Sequence, residues 1–122
     1  MVLQKKFVFL TKSFKTELFK MDSLGETIRK LREDKELPLR TVAAYLDIDQ
    51  AILSKIERNE RKPTKDNIIK LAEILKLDKE DLLVQFMSEK IAYEIADEDC
   101  ASKVLKVAEQ KVKYLKSNLV KN

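Results

Sequence analysis

The side chains in this chain that could do chemistry are few, and their types decide which chemistry. Its 122 residues include no His and one Cys, so neither a zinc site nor a Cys–His or Ser–His nucleophilic pair can be assembled. Carboxylates are plentiful, as in Asp97, Glu98 and Asp99. No positioned base, metal-ligand cluster or phosphate-cradling Gly loop accompanies them, and a solvated charged surface accounts for them. Catalytic residues, a metal and a cofactor are therefore not expected. What remains is recognition by polar side chains. Over 50–59, Leu53, Ile56 and in part Ile52 share one helical face, which leaves Gln50, Ala51, Ser54, Lys55 and Arg58 on the outer one. A short helix over 39–46 and the turn Asp47-Ile48-Asp49 precede this stretch. That is a helix-turn-helix layout, whose second helix can lie in the major groove of DNA.

The elements that must position those residues are legible on either side. Ser23 and Glu26 form S-x-x-E, a capping box opening a first helix whose buried stripe is Leu24, Ile28 and Leu31. Leu37-Pro38 stops it, because Pro cannot continue the amide ladder. The second helix buries Val42, Ala43 and Leu46, with Ala43 small enough to let the next helix approach. Asp47 takes a turn position that needs left-handed backbone, where Gly is cheapest and Asp is tolerated. Asp49 is expected to N-cap the third helix and Asn59 to close it in a left-handed conformation. Thr64 caps a fourth helix burying Ile68, Leu71, Ala72 and Leu75. Asp78 caps a fifth, whose apolar residues are Leu82, Leu83, Phe86, Met87, Ile91 and Ile95.

Past the acidic break at 96–99, Ala101, Leu105, Ala108, Val112, Leu115 and Leu119 step by 4, 3, 4, 3, 4, a heptad seam with Lys residues outside it. Two readings stand: an amphipathic helix folded back on its own domain, or a helix that pairs with itself or with a partner protein. The opening segment is different in character. It holds four of the five Phe and sets five Lys against Glu17 and Asp22, so it supplies +3 of the net charge of +4. Phe7 and Phe9 suit an edge strand, Phe7, Leu10, Phe14 and Leu18 suit a helix, and a start at Met21 would make 1–20 an upstream extension. The expected organisation is an arm or extension over 1–22, a helix-turn-helix domain over 23–96 and a C-terminal helix over 97–122. Because the helical body is almost neutral, affinity for a polyanion must come from charge placed on one face. The lone Cys100 suits a small packing residue in a reducing cytoplasm, and no apolar run approaches a membrane span.

From about 24 to 83 the chain resembles the Xre family, the lambda-repressor-like helix-turn-helix regulators. The residues that carry the resemblance are Ile28-Arg29-Lys30-Leu31-Arg32, Val42-Ala43, Tyr45-Leu46-Asp47-Ile48, Leu53-Ser54-Lys55-Ile56-Glu57-Arg58-Asn59, Pro63-Thr64 and Leu71-Ala72 through Leu77, in family order and spacing. The resemblance implies an all-α, five-helix lambda-repressor-like DNA-binding domain, here with an extra C-terminal helix. It also implies that Arg32 and Glu57 meet as a largely buried ion pair orienting the third helix. Carried over, the base-reading residues are Gln50, Ala51, Ser54 and Lys55: Gln for adenine, Lys for guanine acceptors, Ala for a thymine methyl. Phosphate contacts fall to Arg40, Arg58, Asn59, Arg61, Lys62 and Thr64. The chain departs from the family pattern at Leu39, where a phosphate-binding Gln is common, and at Glu36, where Gly is frequent. Asp47 and Asp49 add negative charge near the path of the DNA.

The function that follows is a cytoplasmic, sequence-specific transcriptional regulator binding double-stranded DNA as a homodimer on a palindromic operator. A restriction–modification controller and a phage-type repressor both fit. The alternative is an antitoxin-like interaction protein, whose C-terminal helix binds a partner protein and whose DNA binding is autoregulatory. No membrane partner is expected.

Overall fold

The computed structural model describes residues 22–121, which form six α-helices and no strand. They are α1 (Leu24–Asp34), α2 (Leu39–Leu46), α3 (Gln50–Glu57), α4 (Lys65–Ile74), α5 (Lys79–Ile95) and α6 (Ala101–Lys121). The expectations for the segment before Asp22 lie outside the described residues. The all-α architecture, five short helices and then a C-terminal one, is the one expected. The chain divides into two compact units, one ending at Glu89 and the other beginning at Lys90, so the division falls inside α5.

In the first unit, α1–α4 and the start of α5 surround one core. Ile28, Leu53, Ile68, Leu71, Leu75 and Leu82 are fully buried, with Val42, Ala43, Leu46, Ile56 and Phe86 beside them. Each helix lays its i, i+3, i+4 stripe against the others, which removes enough apolar surface from water to hold such short helices. Met87 and Ile91 do not belong to this core, although the pattern of α5 groups them with Leu82 and Phe86. They are exposed, because α5 carries two apolar stripes and the core takes the one through Leu82 and Phe86.

Four of the helices end in one way. The backbone turns left-handed at Glu36, Asp47, Asn59 and Lys76, with φ between 55° and 63°. At each the following amide reaches back across the turn: Leu37 to the Arg32 carbonyl, Ile48 to Ala43, Glu60 to Lys55 and Leu77 to Ala72. This is the Schellman arrangement, which satisfies carbonyls that the helix leaves open, here without glycine. Leu37, Ile48 and Leu77 then fold against the core, the apolar contact that fixes such a turn.

In the second unit, α6 begins after a turn in which the Ala101 amide donates to the Glu98 carbonyl. Most of the heptad seam lies toward water: Leu105, Val112, Leu115 and Leu119 are all at least half exposed, while Ala101 is partly buried.

Candidate nucleic-acid interface

The outer face of α3 is built by what its inner face is tied to. Leu53 and Ile56 enter the core, and Glu57 is buried beside them. The Glu57 carboxylate accepts two bonds from Arg32 of α1, from Nε at 2.7 Å and from Nη2 at 3.0 Å. Arg32 Nη1 also donates to the Leu37 carbonyl at 2.9 Å, and those bonds to Glu57 hold the guanidinium pKa above its ordinary value. The Arg32 side chain is 13% exposed and that of Glu57 5%. At this depth the pair is bidentate and each guanidinium nitrogen donates a hydrogen bond, the condition under which two buried charges stay compatible with folding. Arg32 and Glu57 thus meet as a largely buried pair that ties the end of α3 to α1 and to the turn before α2.

A second tie joins the same two helices, and sequence reasoning did not find it. Asn59 Oδ1 accepts from the Gly25 amide at 3.2 Å, and its Nδ2 donates to Ser23 Oγ at 2.7 Å. Ser23 Oγ in turn accepts from the Glu26 amide at 3.2 Å, as the capping box predicts, while Glu89 Oε2 of α5 takes the Leu24 amide at 2.8 Å. Three otherwise open amides at the start of α1 are therefore closed by three side chains from three places in the chain. The close approach needs Gly25. A Cβ there would lie 2.5 Å from the Ile56 carbonyl oxygen and 2.6 Å from that of Glu57, both backbone. The only sequence signal was that this is the single glycine of the chain, set inside a helix, where glycine is otherwise unfavourable.

On the outer side, Gln50, Ala51 and Lys55 are exposed and Ser54 is partly buried. Arg40, Arg61 and Lys62 are exposed, the last two in the loop before α4. Three of the expected phosphate ligands have internal partners. Arg58 Nε donates to Glu60 Oε2 at 2.9 Å, and its Nη1 to Ser54 Oγ. The guanidinium holds the Glu60 carboxyl below its ordinary pKa. Asn59 is occupied as described, and Thr64 caps α4 in a reciprocal pair with Asn67, at 3.0 and 3.1 Å.

The helix starts differ along the chain. Side chains cap α1, α4 and α5, the last through Asp78 Oδ1, which accepts from the Glu80 amide at 2.8 Å. The two helices of the helix-turn-helix begin without a side-chain cap. Asp49 occupies the N-cap position of α3, as expected, but makes no capping bond. The amides at Leu39, Arg40, Gln50 and Ala51 are left for an outside acceptor, and the helix dipole favours an anionic one.

Residues 28–82 match the family described as helix-turn-helix. An HTH-type transcriptional repressor of Bacillus subtilis (strain 168), RghR, is 41% identical over 64 residues, which are 52% of this chain and 47% of that protein. A second protein of that strain, the uncharacterized HTH-type transcriptional regulator RghRB, is 38% identical over 64 residues, 52% of this chain and 46% of its own length. This chain thus spans about half the length of the curated relatives it matches. Among solved structures, a chain of a SinR protein/SinI protein complex is 23% identical with a TM-score of 0.46, covering 77% of this chain and 98% of that one.

Proposed function

We propose that the chain is a sequence-specific DNA-binding transcriptional regulator of the lambda-repressor-like, Xre type, on the premise that residues 28–82 match the helix-turn-helix family. It acts in the cytoplasm as a homodimer on a palindromic operator. The observation that carries this reading is the pairing of a fixed inner face of α3 with an open outer one. Glu57 and the turn at Asn59 are tied to α1, while Gln50, Ala51 and Lys55 face solvent on a rigid support. A helix entering the major groove needs that combination: base-edge contacts tolerate little misplacement, and the reading side chains must be unengaged. The uncapped starts of α2 and α3, with Arg40, Arg61 and Lys62 exposed, suit the phosphates on either side of the groove. A two-fold pair of such domains reads half-sites about one helical turn apart.

The pairing of Arg58 with Glu60 moderates this surface, since a phosphate must displace a carboxylate to gain that guanidinium. Affinity then rests mainly on Arg40, Arg61, Lys62 and the helix starts, and its salt dependence is correspondingly modest.

The test is selection of bound duplexes from a random DNA library, using the intact chain and Gln50→Ala/Lys55→Ala. A two-fold symmetric motif is expected, with preference at its contacted positions weakened by about 1–3 kcal/mol per lost base contact in the variant. Absence of any enriched motif, with weak binding that the substitutions leave alone, refutes operator reading by α3.

A further inference from the structure

The seam of α6 is apolar, regular and exposed, so what covers it can be asked of its own chemistry. We propose that the α6 seam pairs with a second copy of this chain in antiparallel orientation, setting Leu105 against Leu115, Ala108 against Val112 and Ala101 against Leu119. The inference rests on the homodimer of the reading above and specifies how that dimer is held.

The first argument is the distribution of charge along the helix. Asp97, Glu98 and Asp99 stand immediately before α6, whose first half carries Lys103 and Lys106 with Glu109, whereas its second half carries Lys111, Lys113 and Lys116 and no acidic residue. Parallel, in-register pairing would lay acid on acid at one end and Lys on Lys at the other. In the antiparallel register Lys116 of one copy stands opposite Val104 of the other, about 7 Å along the axis from Asp99, so each acidic end approaches a Lys-rich segment instead of its own equivalent, and the two helix dipoles then also oppose head to tail. The positions flanking the seam do not discriminate. Parallel pairing brings Lys111 near Lys116 of the second copy twice over, while antiparallel pairing brings Lys111 near its equivalent and Glu109 near its equivalent once each. The ends therefore decide the electrostatics.

The second argument is volume. In a parallel pair each seam residue meets its own equivalent, so Ala101 and Ala108 would form two empty layers among the Leu and Val layers. Such gaps forfeit packing. Reversing one helix puts Leu119 over Ala101 and Val112 over Ala108, so that small faces large in four of six layers. Both arguments select the same orientation from independent properties of the sequence, and the exposure of Leu105, Val112, Leu115 and Leu119 leaves the seam open for it.

The orientation can be read by disulfide trapping in the full-length chain with Cys100→Ser. Chains bearing Leu105→Cys and chains bearing Leu115→Cys are mixed in equal amounts and oxidised, with sedimentation giving the mass before oxidation. The expected result is a dimer, a heterodisulfide well above the statistical share, and little homodisulfide. In the antiparallel pair two copies of position 105 stand about 15 Å apart along the axis, beyond disulfide reach. As a second reading, Asp97→Asn/Glu98→Gln/Asp99→Asn should weaken the dimer by about tenfold at low salt and much less at high salt. The same change would strengthen a parallel pair, by relieving acid against acid. Homodisulfides with a dimeric mass, or tighter association on neutralisation, overturn the antiparallel pairing and leave the homodimer standing. A dimer that gives no cross-link moves the interface away from α6, and a monomeric mass at working concentration removes the homodimer with it. Binding of an unrelated acidic helix by a monomeric chain would be recorded as this last outcome.

Discussion

Ile28, Leu53, Ile68 and Leu82 are wholly out of water, whereas Leu105, Val112, Leu115 and Leu119, spaced as regularly along their helix, stand half exposed or more. Periodicity alone does not separate these two sets. In the first unit the core stripes of α1–α4 and the start of α5 meet one another within the chain, and polar groups are matched as well, down to the Glu57 carboxylate and the first amides of α1. In the second unit the stripe has regular spacing, flanking Lys residues and an internal ion pair of Lys113 with Glu109 at 3.2 Å, but little covers it. Most helical stability in proteins comes from packing of an apolar face, and this 21-residue helix has little of it within the chain. The first unit is thus specified by contacts within the chain, while the apolar seam of the second is left facing solvent. Substitutions that attack internal matching should therefore act strongly in the first unit and hardly at all in α6.

The largest effect is expected at the buried pair. Glu57→Ala leaves the Arg32 guanidinium in place without its partner, and unfolding by urea followed by far-UV circular dichroism should show a loss of about 3–5 kcal/mol. Replacing both members by apolar residues of similar volume should recover most of it, since the penalty comes from an unpaired buried charge. If Glu57→Ala falls within about 1 kcal/mol of the parent, the pair behaves as a solvated one and the locking of α3 by α1 is wrong.

Gly25→Ala comes next. Its Cβ would meet two backbone carbonyls, which cannot rotate away as a side chain can, so α1 must shift from the end of α3. A loss of about 1–3 kcal/mol is expected from overpacking, against the gain of up to about 1 kcal/mol that Gly→Ala gives in an unconstrained helix. The sign of the change is the check.

How much of this was legible in the sequence depends on how far the cause lay from its effect. The caps at Ser23, Thr64 and Asp78 and the left-handed turn at Asp47 are local, and the structure forms them as read. The outward set on α3 followed from its period. The meeting of Arg32 with Glu57 came from resemblance, since nothing in the spacing of 25 residues brings them together. Gly25 and Glu89 were not legible, because each acts on an element that only the tertiary fold brings near: Glu89 caps an amide 65 residues away. The exposure of Met87 and Ile91 was missed for a related reason: on a helix with two apolar stripes, the pattern does not say which one the core will take.

Two further substitutions separate backbone strain from side-chain bonding at turns of one geometry. Asn59 and Glu36 both sit at positive φ, 63° and 55°. Asn59→Gly relieves that strain but leaves the Gly25 amide and Ser23 without the carboxamide that joins them, so a net loss of about 1–2 kcal/mol is expected. Glu36 is exposed, and Glu36→Gly should instead stabilise by about 0.5–1 kcal/mol, with Lys76→Gly behaving likewise. Opposite signs in urea midpoints at turns of the same conformation would assign the role of Asn59 to its side chain. Equal signs would return it to its backbone.

The smallest effect on the first unit, and the sharpest test of the contrast between the two, belongs to Leu115→Lys. A buried Leu exchanged for Lys would leave a charge without a partner and unfold most small domains. Leu115 is 58% exposed, so amide hydrogen exchange at Ile28 and Leu53 should stay within about 0.5 kcal/mol of the parent when measured at high dilution. On the proposed pairing the effect appears in α6 itself: its amides gain protection as the parent chain associates, and those of the variant do not. A variant that loosens Ile28 and Leu53 even at high dilution would mean that α6 supports the first unit from within the chain. The two kinds of helix would then differ in degree only.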